Sequence, residues 1–306
     1  MNLQNLRALP KIRDSMSFVY IEHAKIDKDM QALKITDADG IIQLPVASVS
    51  ALLLGPGTNI SHDAVKITAE NGCTLLWTGE QGVRTYAAGT GETKKSARLL
   101  RQVAAWANPE TRLQVVVKMY EMRFPDPLPK GLNLRQIRGK EGIRVRQAYT
   151  EFSKAFGVAW SGRNYDRKNW FETEPINRAL SSANSCLYGI THAAIVSTGY
   201  SPALGFIHTG KQLSFVYDIA DLYKVEHSIY AAFEAVAANS ENLEREVRLK
   251  MRERFRESKL LQRIVEDIDK LLKVDEPLES DYDDDPALPS GYWDPSPEVE
   301  AKVLCL

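Results

Sequence analysis

The sequence predicts an α+β chain with a β-rich segment over residues 1–90, a helical segment over 91–274 and an acidic, proline-rich tail over 275–306. Three observations carry that division. Short runs rich in β-branched and aromatic residues, separated by turn residues, fill the first ninety positions. Beyond Gly89-Thr90-Gly91, apolar residues recur at helical spacing behind helix-start residues. From Asp275 onward the composition turns acidic and rich in proline, which cannot bury a core, so this tail is expected to be mobile.

The strand runs include Ser17–Ile21, Ala32–Thr36 and Val49–Leu54, with Asp37-Ala38-Asp39-Gly40 as a hairpin turn. One helix interrupts them. Ser61 caps it, Asp63 favours its positive end and Asn71-Gly72 ends it. Cys73–Thr78 and Val83–Ala87 resume the strand pattern. Helices are expected over Thr93–Trp106, Pro109–Arg123, Asn133–Phe156, Pro175–Ser197 and, in two or three pieces, Ser228–Leu272. Pro109 and Pro175 suit first-turn positions. The helix from Pro175 carries Ala179, Ala183, Gly189, Ala193 and Ala194, whose small side chains allow close backbone approach, so it belongs at the centre of the helical part.

Composition narrows the function classes. Cys73, Cys186 and Cys305 are sparse, odd in number and without metal-ligand spacing, which fits a reducing cytoplasm and argues against a disulfide framework. The N-terminus has no apolar signal core. The most apolar long stretch, 179–199, contains Asn184 and His192 and reads as a buried helix. The net charge of −1 hides an asymmetry: residues 275–306 hold ten acidic side chains and one lysine, whereas residues 92–154 hold fourteen Lys and Arg against six Asp and Glu. A concentrated basic surface suits a polyanion partner, although a solvated helical surface gives the same pattern.

The chemistry concentrates in residues 205–221, GFIHTGKQLSFVYDIAD. His208, Asp218 and Asp221 sit there among Phe206, Ile207, Leu213, Phe215, Val216 and Ile219. Carboxylates in apolar company are costly without a positive partner, and a divalent cation is one such partner. A helix starting near Phe215 would put Asp218 and Asp221 on one face, able to hold one metal between them, with His208 folding back from the preceding loop. Oxygen-rich, partly open sites suit Mg2+ or Mn2+, and the imidazole tilts the choice toward manganese. Glu141 is the best candidate for a third acidic ligand. The local pattern taken alone favours a helical ion pair for it, for instance with Arg138 at i−3. Asp218 and Asp221 can likewise be read as exposed N-terminal caps, and His208 as a core histidine. Such a metal would polarise a phosphodiester. Nucleic acid is the expected substrate, because Arg138, Lys211 and Lys224 surround the site and Arg163 to Lys168 places cations beside Tyr165 and Trp170. Arg245, Arg248, Arg252 and Arg256 recur on one helix face, although the interleaved Glu244, Glu246, Glu253 and Glu257 fit a salt-bridged surface helix equally well.

The run from Gly205 to Asp221 closely resembles the CRISPR-associated integrase family, and most of all the branch that works with the Cascade complex (subtype I-E). Leu54-Gly-Pro-Gly-Thr58, Ser61-His-Asp-Ala64, Trp77-Thr-Gly-Glu80, Gly82-Val-Arg84, Arg138-Gly-Lys-Glu-Gly142 and Ser185-Cys-Leu-Tyr-Gly189 match in the same order; the acidic tail is poorly covered. The resemblance implies an N-terminal β-sandwich domain followed by an all-α catalytic domain. It places the metal ligands on Glu141, His208 and Asp221, with Asp218 a further catalytic acid, and so displaces the ion-pair reading of Glu141. It implies a cytoplasmic homodimer, two of which are bridged by a small ferredoxin-like CRISPR-associated partner into a heterohexamer. The implied reaction inserts a captured short DNA duplex with 3′ overhangs at the leader end of a repeat array. The fragment's 3′-hydroxyl attacks a phosphodiester, and metal-dependent cleavage of branched and single-stranded nucleic acid accompanies it. Arg84, Arg163, Arg245 and Arg248 are then expected to hold phosphates. Tyr165, Tyr188 and Lys211 lie where the overhang enters, and Tyr188 and Tyr217 shape the pocket. One departure concerns the tyrosine with which the branch stacks on the duplex end: aligning Ala24-Lys-Ile-Asp27 puts His23 there, with Tyr20 the alternative. A repair nuclease acting on branched DNA and a non-catalytic DNA-binding subunit are the competing readings.

Overall fold

The computed structural model describes residues 17–80, 84–91, 96–163 and 173–273. Tyr165, Trp170 and the acidic tail therefore lie outside the described residues.

Two four-stranded sheets form the first part. One has the order β1 (Ser17–Ile21), β5 (Val49–Leu54), β7 (Thr74–Thr78), β8 (Thr85–Gly89). Its first three strands run parallel and β8 is antiparallel to β7. The other has the order β4 (Ile41–Pro45), β3 (Ala32–Thr36), β2 (Lys25–Asp29), β6 (Asn59–Ile60). The Asp37–Gly40 turn joins β3 to β4 as the sequence predicts: Thr36 pairs with Ile41, and Asp37 Oδ1 accepts from the Asp39 and Gly40 N–H groups. Ile21, Leu52, Leu54 and Leu75 of the first sheet, Ile26, Leu33 and Ile35 of the second, and Ala64 and Ile67 of helix α1 (His62–Glu70) share one core. Ser61 caps α1 by accepting from the Ala64 N–H, so the expected helix start holds.

Helices follow: α2 (Ala97–Ala107), α3 (Pro109–Glu121), α4 (Leu134–Phe156), α5 (Pro175–Thr198), α6 (Ser214–Ala220), α7 (Tyr230–Ala237), α8 (Leu243–Glu257) and α9 (Leu260–Leu271). Asn133 and Gln136 close a reciprocal capping box at the start of α4, and Gly157, at φ 64°, ends it. The small-residue helix α5 is central, with Ala179, Ala183, Ala193 and Ala194 fully buried and α6 to α9 packed around it. Its Ala193 also meets Ala51 and Leu76, so α5 joins the helices to the first sheet. The long expected helix of 228–272 is three pieces because Asn239 and Lys259 adopt positive φ, 48° and 47°, which interrupts the helical path.

A π-helical turn, Val225–Ile229, precedes α7, with the Ile229 N–H donating to the Lys224 carbonyl. It carries His227, which is buried with both ring nitrogens lacking a hydrogen-bond partner. Burial lowers the His227 pKa to about 4 against the pull of Glu226, and Arg254 and Arg263 lower it further. The unfolded chain therefore binds more protons than the folded one between the ordinary histidine value and about 4, and stability is lost as pH falls through that window. Glu226, whose pKa is lowered, acts in the same direction. Urea melts should show a stability decline below about pH 6.5, which His227→Phe flattens because the titrating imidazole is removed.

Candidate active site

The site is assembled where α4, α5, α6 and the turn after α3 meet the loop of residues 201–213. That loop is fixed from two sides. Side chains of α2 and α3 take its carbonyls: Gln102 donates to Ser201 and Leu204 (3.0 and 3.1 Å), Trp106 to Gly205 (3.0 Å) and Arg112 to Phe206 (3.0 Å). Asp218 of α6 takes its N–H groups. One carboxylate oxygen accepts from Phe206 and Ile207 (2.5 and 2.9 Å); the other accepts from the His208 backbone (2.9 Å) and from His208 Nδ1 (2.6 Å). Gly205 is required at this fold-back. A Cβ there would overlap the His208 carbonyl oxygen and come within 2.7 Å of Ser214 atoms. Gly205→Ala is therefore expected to displace His208, read as loss of activity together with a lower melting temperature.

Asp218 is fully buried, and burial pushes its carboxyl above the ordinary carboxylate range, opposed by the Ile207 and His208 donors. All four of its hydrogen bonds are directed at the loop. The expected shared face of the two aspartates is thus corrected: three residues along a short helix, Asp218 points back to the loop while Asp221, the residue after α6, faces Arg123 and Lys224. Nor is either one an N-terminal cap. What Asp218 does is orient His208. A carboxylate acceptor at Nδ1 requires the proton there, leaving the Nε2 lone pair available. The His208 side chain is 45% exposed, so that nitrogen is reachable.

Two carboxylates converge on one cation of the chain. Glu141, in the middle of α4, and Asp221 approach the same guanidinium nitrogen, Arg123 Nη1, at 3.7 and 3.9 Å. Both are largely buried, with side chains 13% and 18% exposed. Glu141 is also held in a two-pronged pair by Arg144 at 2.9 and 3.0 Å, so its helical partner is at i+3 and not Arg138, which is exposed. Asp221 pairs with Lys224 at 2.5 Å. Burial lowers the Lys224 pKa, but Asp221 and Tyr188 pull harder and the net shift is upward. Lys224 also lies over the Tyr188 ring, 5.4 Å from its centroid. Tyr188 packs edge-on against Tyr217, and Tyr217 against His208 (ring centroids 5.1 and 6.0 Å). A continuous wall thus runs from His208 through two tyrosines to Lys224 and Asp221. Among the described residues no three His, Cys, Asp or Glu side chains already close into a metal-holding cluster, because positive side chains stand between the acids. The donors nonetheless fit a divalent cation in kind: two partly buried carboxylates facing a position where positive charge sits, and an imidazole with a free nitrogen.

The other sequence candidates fall around this centre. Lys211 is exposed beyond His208, in a turn closed by Ser214. Arg163 reaches the Asn177 carbonyl and Ser181 on α5. Arg84 is exposed just before β8. On α8, Arg248 pairs with Glu80 at 3.4 Å. Arg245, Arg252 and Arg256 are exposed and make no ion pair among the described residues, whereas Glu246 pairs with Lys250 along the helix and Glu244 with Arg178. His23 is exposed at φ 52°, against Gly57, far along the chain from the acids. Sequence reasoning missed Arg123, Arg144, Gln102, Trp106 and Arg112. Arg144 had a signal, its i+3 spacing from Glu141. The others act at long range along the chain and carried none.

The family model for CRISPR associated protein Cas1 matches residues 18–126 and 121–250. The CRISPR-associated endonuclease Cas1 2 of Thermus thermophilus is 52% identical over 98% of this chain and 93% of its own length. The CRISPR-associated endonuclease Cas1 of Escherichia coli K12 is 44% identical over 87% of each. In a crystal structure of a TtCas1–DNA complex, 53% identical, the TM-score is 0.80 over 87% of this chain and 99% of that one. A family match spanning most of the described residues, and identity sustained over nearly the full length, lead to one conclusion: the chain belongs to the CRISPR-associated protein Cas1 family.

Proposed function

We propose that this protein is a metal-dependent DNA integrase and endonuclease of CRISPR adaptation, acting in the cytoplasm with the Cascade-type machinery. The observation that carries the reading is the approach of Glu141 and Asp221 to one cation position, linked through Lys224, Tyr188 and Tyr217 to an imidazole whose orientation is fixed by a buried aspartate. A DNA complex of a 53% identical relative supports DNA as the ligand.

Glu141, Asp221 and His208 Nε2 would hold a magnesium or manganese ion, which supplies Lewis-acid polarisation of a phosphodiester. The chain's residues do the rest. Asp218 keeps the imidazole in one tautomer and one orientation. Tyr188 and Tyr217 wall the pocket and exclude water beside the reacting phosphate. The Lys224 ammonium balances the charge of Asp221. Strand transfer is a transesterification: the fragment's 3′-oxygen forms a bond to phosphorus, the repeat-strand oxygen leaves, and no net phosphodiester is lost. The exposed cations Lys211, Arg84, Arg245, Arg252 and Arg256 position the phosphate backbone. A two-sheet N-terminal domain in a sandwich arrangement, a homodimer, and a heterohexamer with a small ferredoxin-like partner complete the proposal.

Lys211→Glu or Arg245→Glu should weaken duplex binding and reduce the slope of log affinity against log salt by about one for each phosphate no longer neutralised. Wild-type affinity and slope in both variants would remove these residues from the interface. The integrase reading is tested by incubating the protein and its small partner with a labelled short duplex and a supercoiled repeat-bearing plasmid. Joined product supports it; cutting without joining supports a repair nuclease. One observation favours a second reading, a DNA-binding subunit without a metal: both acids already face internal cations. Under that reading, manganese titration gives no site-specific heat.

A further inference from the structure

Between the two acids the chain places a positive charge of its own, and it is badly satisfied. The Arg123 side chain is only 5% exposed, yet its nearest carboxylate oxygens lie at 3.7 and 3.9 Å, farther than the roughly 2.7–2.9 Å of a charge-assisted hydrogen bond. Its Nε and Nη2 are buried without any hydrogen-bond partner. Arg144 shows the contrast, gripping the same Glu141 with two bonds of 2.9 and 3.0 Å. Arg123 lies in the turn directly after α3, seated on the ring of Tyr120 in the last turn of that helix, 4.8 Å from the guanidinium carbon.

A buried arginine that serves only as a structural tie has its fork matched, because an unpaired buried donor is costly. Two partly buried acids without a counterion would cost more. The geometry therefore points to a stand-in, and we propose that Arg123 is a built-in competitor for the divalent cation: it neutralises Glu141 and Asp221 before loading and must withdraw for a cation to enter. This rests on the metal reading above and deepens it, by making the loading of the free protein depend on one arginine. Arg144 and Lys224, bonded at the flanks of the acids, can stay in place while Arg123 moves. The consequence is weak cation binding by the protein without DNA.

The test is calorimetric titration of Mn2+ into the full chain without DNA. Arg123→Met should bind Mn2+ at least about tenfold more tightly than wild type, since a repelling unit charge close to the cation is gone. Arg123→Lys, which keeps the charge, should stay near the wild-type value. Adding Asp221→Asn to Arg123→Met should abolish the gain. A tie with only a structural role would lose affinity on removal. Equal or weaker binding by Arg123→Met, with Asp221→Asn still abolishing wild-type binding, overturns the competitor and leaves the metal site standing. Heat that Asp221→Asn does not change, or no binding by any form, overturns both. Should Arg123→Met melt below the assay temperature, Arg123→Gln replaces it, with the same expected gain and the same overturning results.

Discussion

Replacement of Asp221 or His208 by alanine is expected to reduce strand transfer by about a thousandfold or more while leaving fragment-duplex affinity nearly unchanged. The two losses have different origins. Asp221→Ala removes one of the two carboxylates that face the cation position and leaves Lys224 without its 2.5 Å partner. His208→Ala removes the imidazole alone, from an exposed position where little packing is lost. On the proposed reading, duplex capture depends on exposed cations elsewhere on the surface, which neither change touches. Asp221→Asn separates chemistry from folding, because it preserves shape while removing the negative charge. Strand transfer at wild-type rate in His208→Ala and Asp221→Asn, measured with the plasmid-joining assay, would remove both from the catalytic centre.

Asp218→Ala should be as damaging to activity and far more damaging to stability. Three backbone N–H groups and one ring N–H converge on this carboxylate. With each orphaned buried donor worth about 1–3 kcal/mol and some of them regaining water, a loss of about 3–5 kcal/mol in urea unfolding is expected. The activity loss follows because His208 is no longer held in one tautomer. Asp218→Asn distinguishes the roles. It keeps the volume but offers one acceptor oxygen and an amide that opposes the N–H donors, so it should recover only part of the stability and little of the activity. An Asp218→Ala variant that keeps wild-type strand transfer would contradict the orienting role.

The local elements were legible because their signals are local. The Asp37–Gly40 turn, the Ser61 cap, Pro109, Asn133 and Pro175 each place an element end where the structure has one. β2 was harder to read, because Lys25-Ile-Asp-Lys-Asp29 carries a single buried apolar side chain, Ile26. The breaks within 225–272 depend on single residues taking positive φ, which no spacing announces. At the site, the run 205–221 identified His208, Asp218 and Asp221 as a group, but spacing could not say that Asp218 would turn toward the loop. That depends on Gly205 letting the chain fold back and on Gln102, Trp106 and Arg112 holding the loop from helices far earlier in the chain. Arg123 was invisible for the same reason: its partners are Glu141 and Asp221, and its burial is decided by packing on Tyr120.

Anomalous diffraction at the manganese edge, from crystals of the full chain grown with a fragment duplex and Mn2+, tests the central claim most directly. A single peak per chain bounded by the Glu141 and Asp221 carboxylates and His208 Nε2 is the predicted result. A peak at another place, or those acids still facing Arg123 in crystals with Mn2+ bound elsewhere, would contradict it.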